Sequence, residues 1–129
     1  MSKMGLLDFL KSKPQIQPVD EPIEGHKLLN VFNNVKVRRM GIIPEDTQIG
    51  DKVVLLYQPA SKDVIDNISL LLVPKKKLFG YIDDDPIIEK ELVRCIKRSD
   101  KSVARISYFS KKKMELNATV NIAFFKKNK

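Results

Sequence analysis

The chain has almost none of the residues that usually carry chemistry. Its 129 residues include one cysteine, Cys95, one histidine, His26, no tryptophan and five scattered glycines. A lone cysteine excludes an internal disulfide and any cysteine-rich zinc site, and one histidine nearly exhausts the common transition-metal ligands. No Gly-rich phosphate loop is present, and no serine or cysteine nucleophile stands at a recognisable spacing from His26. The acidic triplet Asp83-Asp84-Asp85 offers hard oxygen ligands suited to Mg²⁺. Its place just before an apolar-periodic segment fits helix capping without a metal. No catalytic residue, metal or cofactor is therefore expected. Apolar runs stay far below the roughly 20 residues that span a bilayer, and the start of the chain lacks a signal peptide's pattern. A cytoplasmic protein with no membrane partner is expected, with Cys95 a buried small apolar residue.

Acidic residues are scarce in one region, and that scarcity organises the charge. The formal net charge is +8, with balances of −1 over residues 1–25, +2 over 26–100 and +7 over 101–129. A field concentrated on a few elements attracts a polyanion more effectively than a diffuse one. Lysine also solubilises small domains, so charge alone does not settle the partner.

With 43% hydrophobic residues the chain is large enough for one domain that buries roughly two-thirds of its unfolded surface. Residues 1–12 read as a short helix with Met4, Leu7, Phe9 and Leu10 on a partly one-sided face. Residues 13–25 hold three prolines and read as an extended linker. The domain is expected over 26–125, followed by a basic tail at 126–129. Strands are expected over 31–40, with an interruption near Asn33-Asn34, and over 53–57, 68–73 and 78–82. The runs at 53–57 and 68–73 are short, apolar and branched, as for strands buried on both faces. Asp85 and Pro86 open a helix whose core stripe is Ile88, Leu92, Cys95 and Ile96. Ala104, Ile106 and Tyr108 are expected to share a strand face, and alternation from Met114 to Phe124 marks a long last strand after a turn near 110–113. The pattern gives a mainly β fold with one helix (α+β), a small partly closed OB-like barrel of five to seven strands behind the N-terminal helix and linker.

Residues 50–82 carry a more specific signal. Gly50-Asp51 makes a turn, 53–57 an apolar strand ending at Gln58-Pro59, then a polar loop closes on Asn67-Ile68, a second apolar strand follows, and Gly80-Tyr81-Ile82 opens onto the helix. This order resembles the HIRAN domain, over roughly residues 35–125. The resemblance implies an OB-like barrel that binds DNA ends. Set without gaps against the family's loop, Pro59 and Ile68 match. Asp63 and Val64 occupy the places of the family's base-stacking aromatic and adjacent acid.

Single-strand readers on OB-type barrels combine cations that neutralise phosphates with aromatics that stack on bases. The candidates here are Arg38 and Arg39 near the first strand, Lys75, Lys76 and Lys77 at one turn, Lys111, Lys112 and Lys113 at another, and Tyr57, Tyr81 and Tyr108. The expectation is a non-catalytic nucleic-acid-binding accessory domain, with single-stranded DNA favoured and no small-molecule substrate. The alternative is a protein-interaction module tethered through residues 1–25, its basic face incidental.

Overall fold

The computed structural model describes residues 18–129 apart from Val64 and Lys75. The helix expected over 1–12, the first part of the expected linker and the candidate Lys75 lie outside the described residues. Six antiparallel strands form the fold: β1 (His26–Arg39), β2 (Lys52–Gln58), β3 (Asn67–Leu72), β4 (Lys77–Ile82), β5 (Lys101–Phe109) and β6 (Asn117–Lys127). One helix, α1 (Pro86–Arg98), separates β4 from β5. The strands run β1-β4-β3-β2-β5-β6 around a closed barrel. The meander β2-β3-β4 returns beside β1 in Greek-key order. The barrel is thus closed rather than partly closed, because β1, at 14 residues, pairs with β6 along its length and with β4 near its end. Closure leaves the sheet no long free edge.

The narrowest seam lies between β2 and β5, which pair only at Lys52↔Arg105 and Val53↔Ala104. The Gly50-Asp51 turn reinforces it. Gly50 adopts φ 98°, a conformation that favours glycine, and its N–H donates to the Ile106 carbonyl at 2.8 Å. Ile106 N–H donates back to Asp51 O at 3.0 Å, and Arg105 Nη1 donates to Gly50 O at 2.9 Å.

Side-chain parity departs from expectation in three strands. β1 continues through Asn33-Asn34 as one strand, with a bulge that places Asn34 at φ 56° and lets its N–H donate to Asn121 Oδ1 at 2.8 Å. β2 was expected to be buried on both faces. It alternates instead, with Val53 inside and Val54 and Leu56 outside at 51% and 54% exposure. In β5 a register shift between Ile106 and Tyr108 inserts one residue, and a one-residue insertion reverses which side faces the core. Ala104 and Ile106 point inward as expected, but Tyr108 turns out and Phe109 turns in. The last strand starts at Asn117, so Met114 and Leu116 belong to the preceding turn.

Phe79, Leu70, Ile106, Val120, Ile122 and Phe124 fill the barrel, and Phe79 meets Phe109 edge-on at 5.9 Å. Helix α1 joins the same core through Leu92 and Cys95, with Ile88 and Ile96 partly buried beside them. Asp85 Oδ1 accepts from Ile87 N–H at 2.8 Å and Glu89 Oε2 accepts from Asp84 N–H at 2.9 Å, so two donors at the helix start are satisfied. A second apolar cluster lies outside the barrel, where Val19 is buried against Ala123 and Phe125, with Ile23, Val31 and Val103 around them. The packed unit therefore reaches back at least to Val19, into the segment expected as linker.

Strand register sorts the loops by end. Arg39↔Gly80, Leu72↔Lys77 and Arg38↔Asn117 place the connections 40–51, 73–76 and 110–116 at one end of the barrel. The loop 59–66 and helix α1 occupy the other end. The two lysine turns thus share an end.

Candidate nucleic-acid interface

After the β1 bulge, Val35, Val37 and Arg39 face the interior while Lys36 and Arg38 face solvent. Arg38 pairs with Tyr81 on β4 and with Asn117 on β6, and Tyr81 in turn pairs with Ser69 on β3. An outward row therefore runs Ser69, Tyr81, Arg38, Asn117 across four neighbouring strands. Tyr108, paired with Thr119 on β6, stands diagonally beyond the row on β5. Arg38, Tyr108 and Asn117 line one open groove with Met114, Glu115 and Leu116. Tyr81 and Tyr108 are 40% and 50% exposed, so each keeps part of its ring available on either side of the guanidinium. Three interstrand steps of about 4.8 Å separate β4 from β5 on this wall, roughly 14 Å in all.

The close approach behind this row depends on Gly80. A Cβ there would meet the Arg38 carbonyl oxygen and lie 2.9 Å from the Arg39 Cα, so only glycine lets β1 and β4 pair at this point. Its neighbour Tyr81 is thereby held opposite Arg38 in the strand register.

Arg39, a candidate on sequence grounds, is only 3% exposed and does not reach a surface ligand. Its Nη1 donates to Met40 O at 2.7 Å, and its Nη2 donates to Lys112 O at 2.7 Å and Glu115 O at 2.6 Å. The guanidinium thus ties the 110–116 turn to the barrel mouth. Lys111, Lys112 and Lys113 remain exposed on that turn, with Lys112 Nζ 3.7 Å from Glu115 Oε1. Lys76 and Lys77 are exposed at the neighbouring turn.

Tyr57 stands apart from the other candidates. It is half-buried near the end of β2, at the helix end of the barrel, beside a groove of about 510 Å³ between α1 and the start of β3. Three basic residues that sequence reasoning did not single out, Lys90, Arg94 and Lys97, line that groove with Asn67. Their i, i+4, i+7 spacing on a capped helix was the available signal. Arg94 is also paired with Glu91. In the 59–66 loop Asp63 is exposed, and Val64 lies outside the described residues.

Among the described residues no group of three His, Cys, Asp or Glu side chains is placed to hold a metal ion, and no helix is long and apolar enough to cross a membrane. The arrangement offers an exposed cation between two half-exposed phenol rings, with exposed lysines at one end. Compared with known proteins, the chain matches no family model, no curated protein and no solved structure.

Proposed function

We propose that this chain is a non-catalytic nucleic-acid-binding domain that holds single-stranded DNA against the wall formed by β4, β1, β6 and β5. The observation that carries the reading is the outward Arg38 set between Tyr81 and Tyr108. Rings that are half free can stack on bases of any sequence, and an arginine between them can neutralise a phosphate or stack on a base itself. The lysine turns at 76–77 and 111–113 lie at the end of the same wall and add attraction that depends on salt. The HIRAN-like order of parts over residues 50–82 agrees with this choice, since it implies DNA as ligand. A cytoplasmic setting suits a chain whose one thiol is buried and unpaired.

Fluorescence anisotropy against a labelled single strand tests the proposal. Binding with Kd of roughly 10⁻⁴ to 10⁻⁶ M near physiological salt is expected, tightening at low salt. Absence of binding at low salt and high micromolar protein rejects it. Replacing Tyr81 and Tyr108 together with Ala should weaken binding by about 1–3 kcal/mol per lost stacking contact.

A second reading, a protein-interaction module, is favoured by the apolar outer face of β2. Val54 pairs with Leu71, which pairs with Leu78, so exposed Val54 and Leu56 continue into a part-buried apolar row. Loss of a co-purifying protein on Val54→Ser/Leu56→Ser substitution, with nucleic-acid binding absent, selects this reading instead.

A further inference from the structure

The cleft between the 41–47 segment and the 110–116 turn is built around a buried cation that strand binding does not use. Its volume is about 590 Å³, inside the roughly 300–1,000 Å³ range of small-molecule sites. Arg39 lines it and is only 3% exposed. The guanidinium joins the two walls, since Nη1 donates to the Met40 carbonyl on one side and Nη2 to those of Lys112 and Glu115 on the other. These neutral acceptors orient the group without cancelling its charge. Nε is buried and meets no acceptor among the described residues. A buried charge is costly unless paired and hydrogen-bonded, and an unsatisfied polar group in such a place calls for an acceptor or a counterion. The rest of the lining is mostly apolar: Phe109 is 6% exposed, and Ile42, Ile43 and Pro44 face it across the cleft. Thr47, 4% exposed, adds a hydroxyl. Lys111, Lys113 and Glu45 are exposed, and Glu45 is the one acid in the lining.

We propose that this cleft binds a small organic carboxylate with a compact apolar body. The inference stands apart from the proposed strand-binding wall and does not depend on it. One negative charge matches the one buried guanidinium. A carboxylate is also an acceptor only, so a free N–H and a threonine hydroxyl suit it as donors. The body must be apolar, because a polar group set against Phe109, Ile43 and Pro44 would lose its water without a replacement. The two lysines draw an anion toward the mouth and make its capture depend on salt. A phosphate within a strand does not fit, since it carries sugars and further charges on both sides. Arg39 therefore stays out of reach of a strand crossing the surface, whereas a small molecule that enters the cleft comes up against it. Because the guanidinium already holds both walls, the site needs little ordering when the ligand arrives.

The test uses naphthalene-2-carboxylate as probe, with the neutral naphthalene-2-carboxamide and 2-naphthyl phosphate as comparisons, in calorimetric titrations of the full chain. The carboxylate is expected to bind saturably and about tenfold tighter than the carboxamide, or about 1.4 kcal/mol. Equal affinities, or no saturable binding, overturn the proposal. Tighter binding of the phosphate overturns the ligand class. In NMR spectra the Arg39 Nε–H resonance should move with the carboxylate and not with the carboxamide, and backbone shifts should centre on residues 41–47 and 109–113. Shifts centred on the groove between α1 and β3 place the probe elsewhere and overturn the site. Arg39→Gln should erase the preference for the carboxylate, but it also removes ties between the walls. Ile42→Asp supplies the cleaner variant: Ile42 is 91% exposed, so folding is unaffected, and the added acid should weaken carboxylate binding about tenfold. Unchanged affinity in that variant overturns the proposal. A labelled single strand titrated in parallel reports the wall separately, so either reading can fail while the other stands.

Discussion

Arg38 and Arg39 are adjacent in sequence, yet one projects into solvent and the other is consumed by carbonyl oxygens, so the same substitution has opposite consequences at the two positions. Arg38→Gln should leave the melting temperature nearly unchanged and weaken single-strand binding, with the slope of log affinity against log salt falling by about 0.7 for the lost phosphate contact. Arg39→Gln should cost about 1–3 kcal/mol of stability, since it strips partners from carbonyls of Met40, Lys112 and Glu115 at the barrel mouth. Urea unfolding of the two variants separates these outcomes. An equal loss of stability would remove the distinction between surface and anchoring arginine. Gly80→Ala gives a third outcome, a loss of about 1–3 kcal/mol from overpacking against β1, because backbone rather than a flexible side chain stands in the way. Sequence reasoning placed both arginines at one surface because their charge outweighed strand parity, which from Val35 and Val37 puts Arg39 on the inner face, where only the carbonyls of two loops make a guanidinium tolerable.

At the scale of elements, most of what was legible came from periodicity and capping. Asp85-Pro86 followed by Ile88, Leu92, Cys95 and Ile96 marked α1, and the structure places Leu92 and Cys95 in the core. Alternation from Met114 to Phe124 marked β6 for the same reason, since one face meets the barrel interior, although the strand itself begins only at Asn117. Tyr108 shows the limit: Ala104, Ile106 and Tyr108 alternate in sequence, but the irregularity at Ser107 turns the tyrosine outward, which is what makes it available to a ligand. The apolar outer face of β2 was likewise hidden, because an uninterrupted apolar run reads as buried on both faces. The 18–25 segment was read from its prolines as linker, and burial of Val19 under tertiary packing overrode that composition. Removing residues 1–24 should leave a cooperative unfolding transition, since all six strands remain. Stability should fall by about 1.5–3 kcal/mol for the lost burial of a side chain such as Val19. Loss of cooperativity on thermal melting would show the segment to be integral to the barrel.

For the molecule as a whole, the decisive fact is that the long connection 40–51, the turn 73–76 and the turn 110–116 meet at one end. The lysines of the two turns are far apart in sequence, so the shared end could not be read from composition, which showed only a basic stretch over residues 101–129. Replacing Lys111, Lys112 and Lys113 with Gln should reduce the salt slope of binding without moving the melting temperature, because solvated lysines on an exposed turn contribute little to stability. An unchanged slope would remove that turn from the interface. Binding should also lack strong preference for a free 3′ hydroxyl. Asp63 stands where a stacking aromatic is expected by resemblance to HIRAN domains and repels nearby phosphates, while Val64 cannot accept a hydrogen bond from the hydroxyl. Titrations with free and blocked 3′ ends decide this, and a tenfold preference for the free end, about 1.4 kcal/mol, contradicts it.

Because β1 and β6 are the first and last strands and pair along nearly their whole length, the barrel cannot close until residues as late as Lys127 have left the ribosome. Until then β1 has only its last few residues to offer β4, and Leu28, Val31 and Phe32 wait without a partner strand. Pairing between strands so distant in sequence must overcome loop-closure entropy before it is rewarded. Closure accordingly waits for β6 and is slow for a domain of this size, in the range of roughly milliseconds to seconds typical of non-local β topologies. A nascent chain stalled before Asn117 should remain sensitive to protease throughout β1.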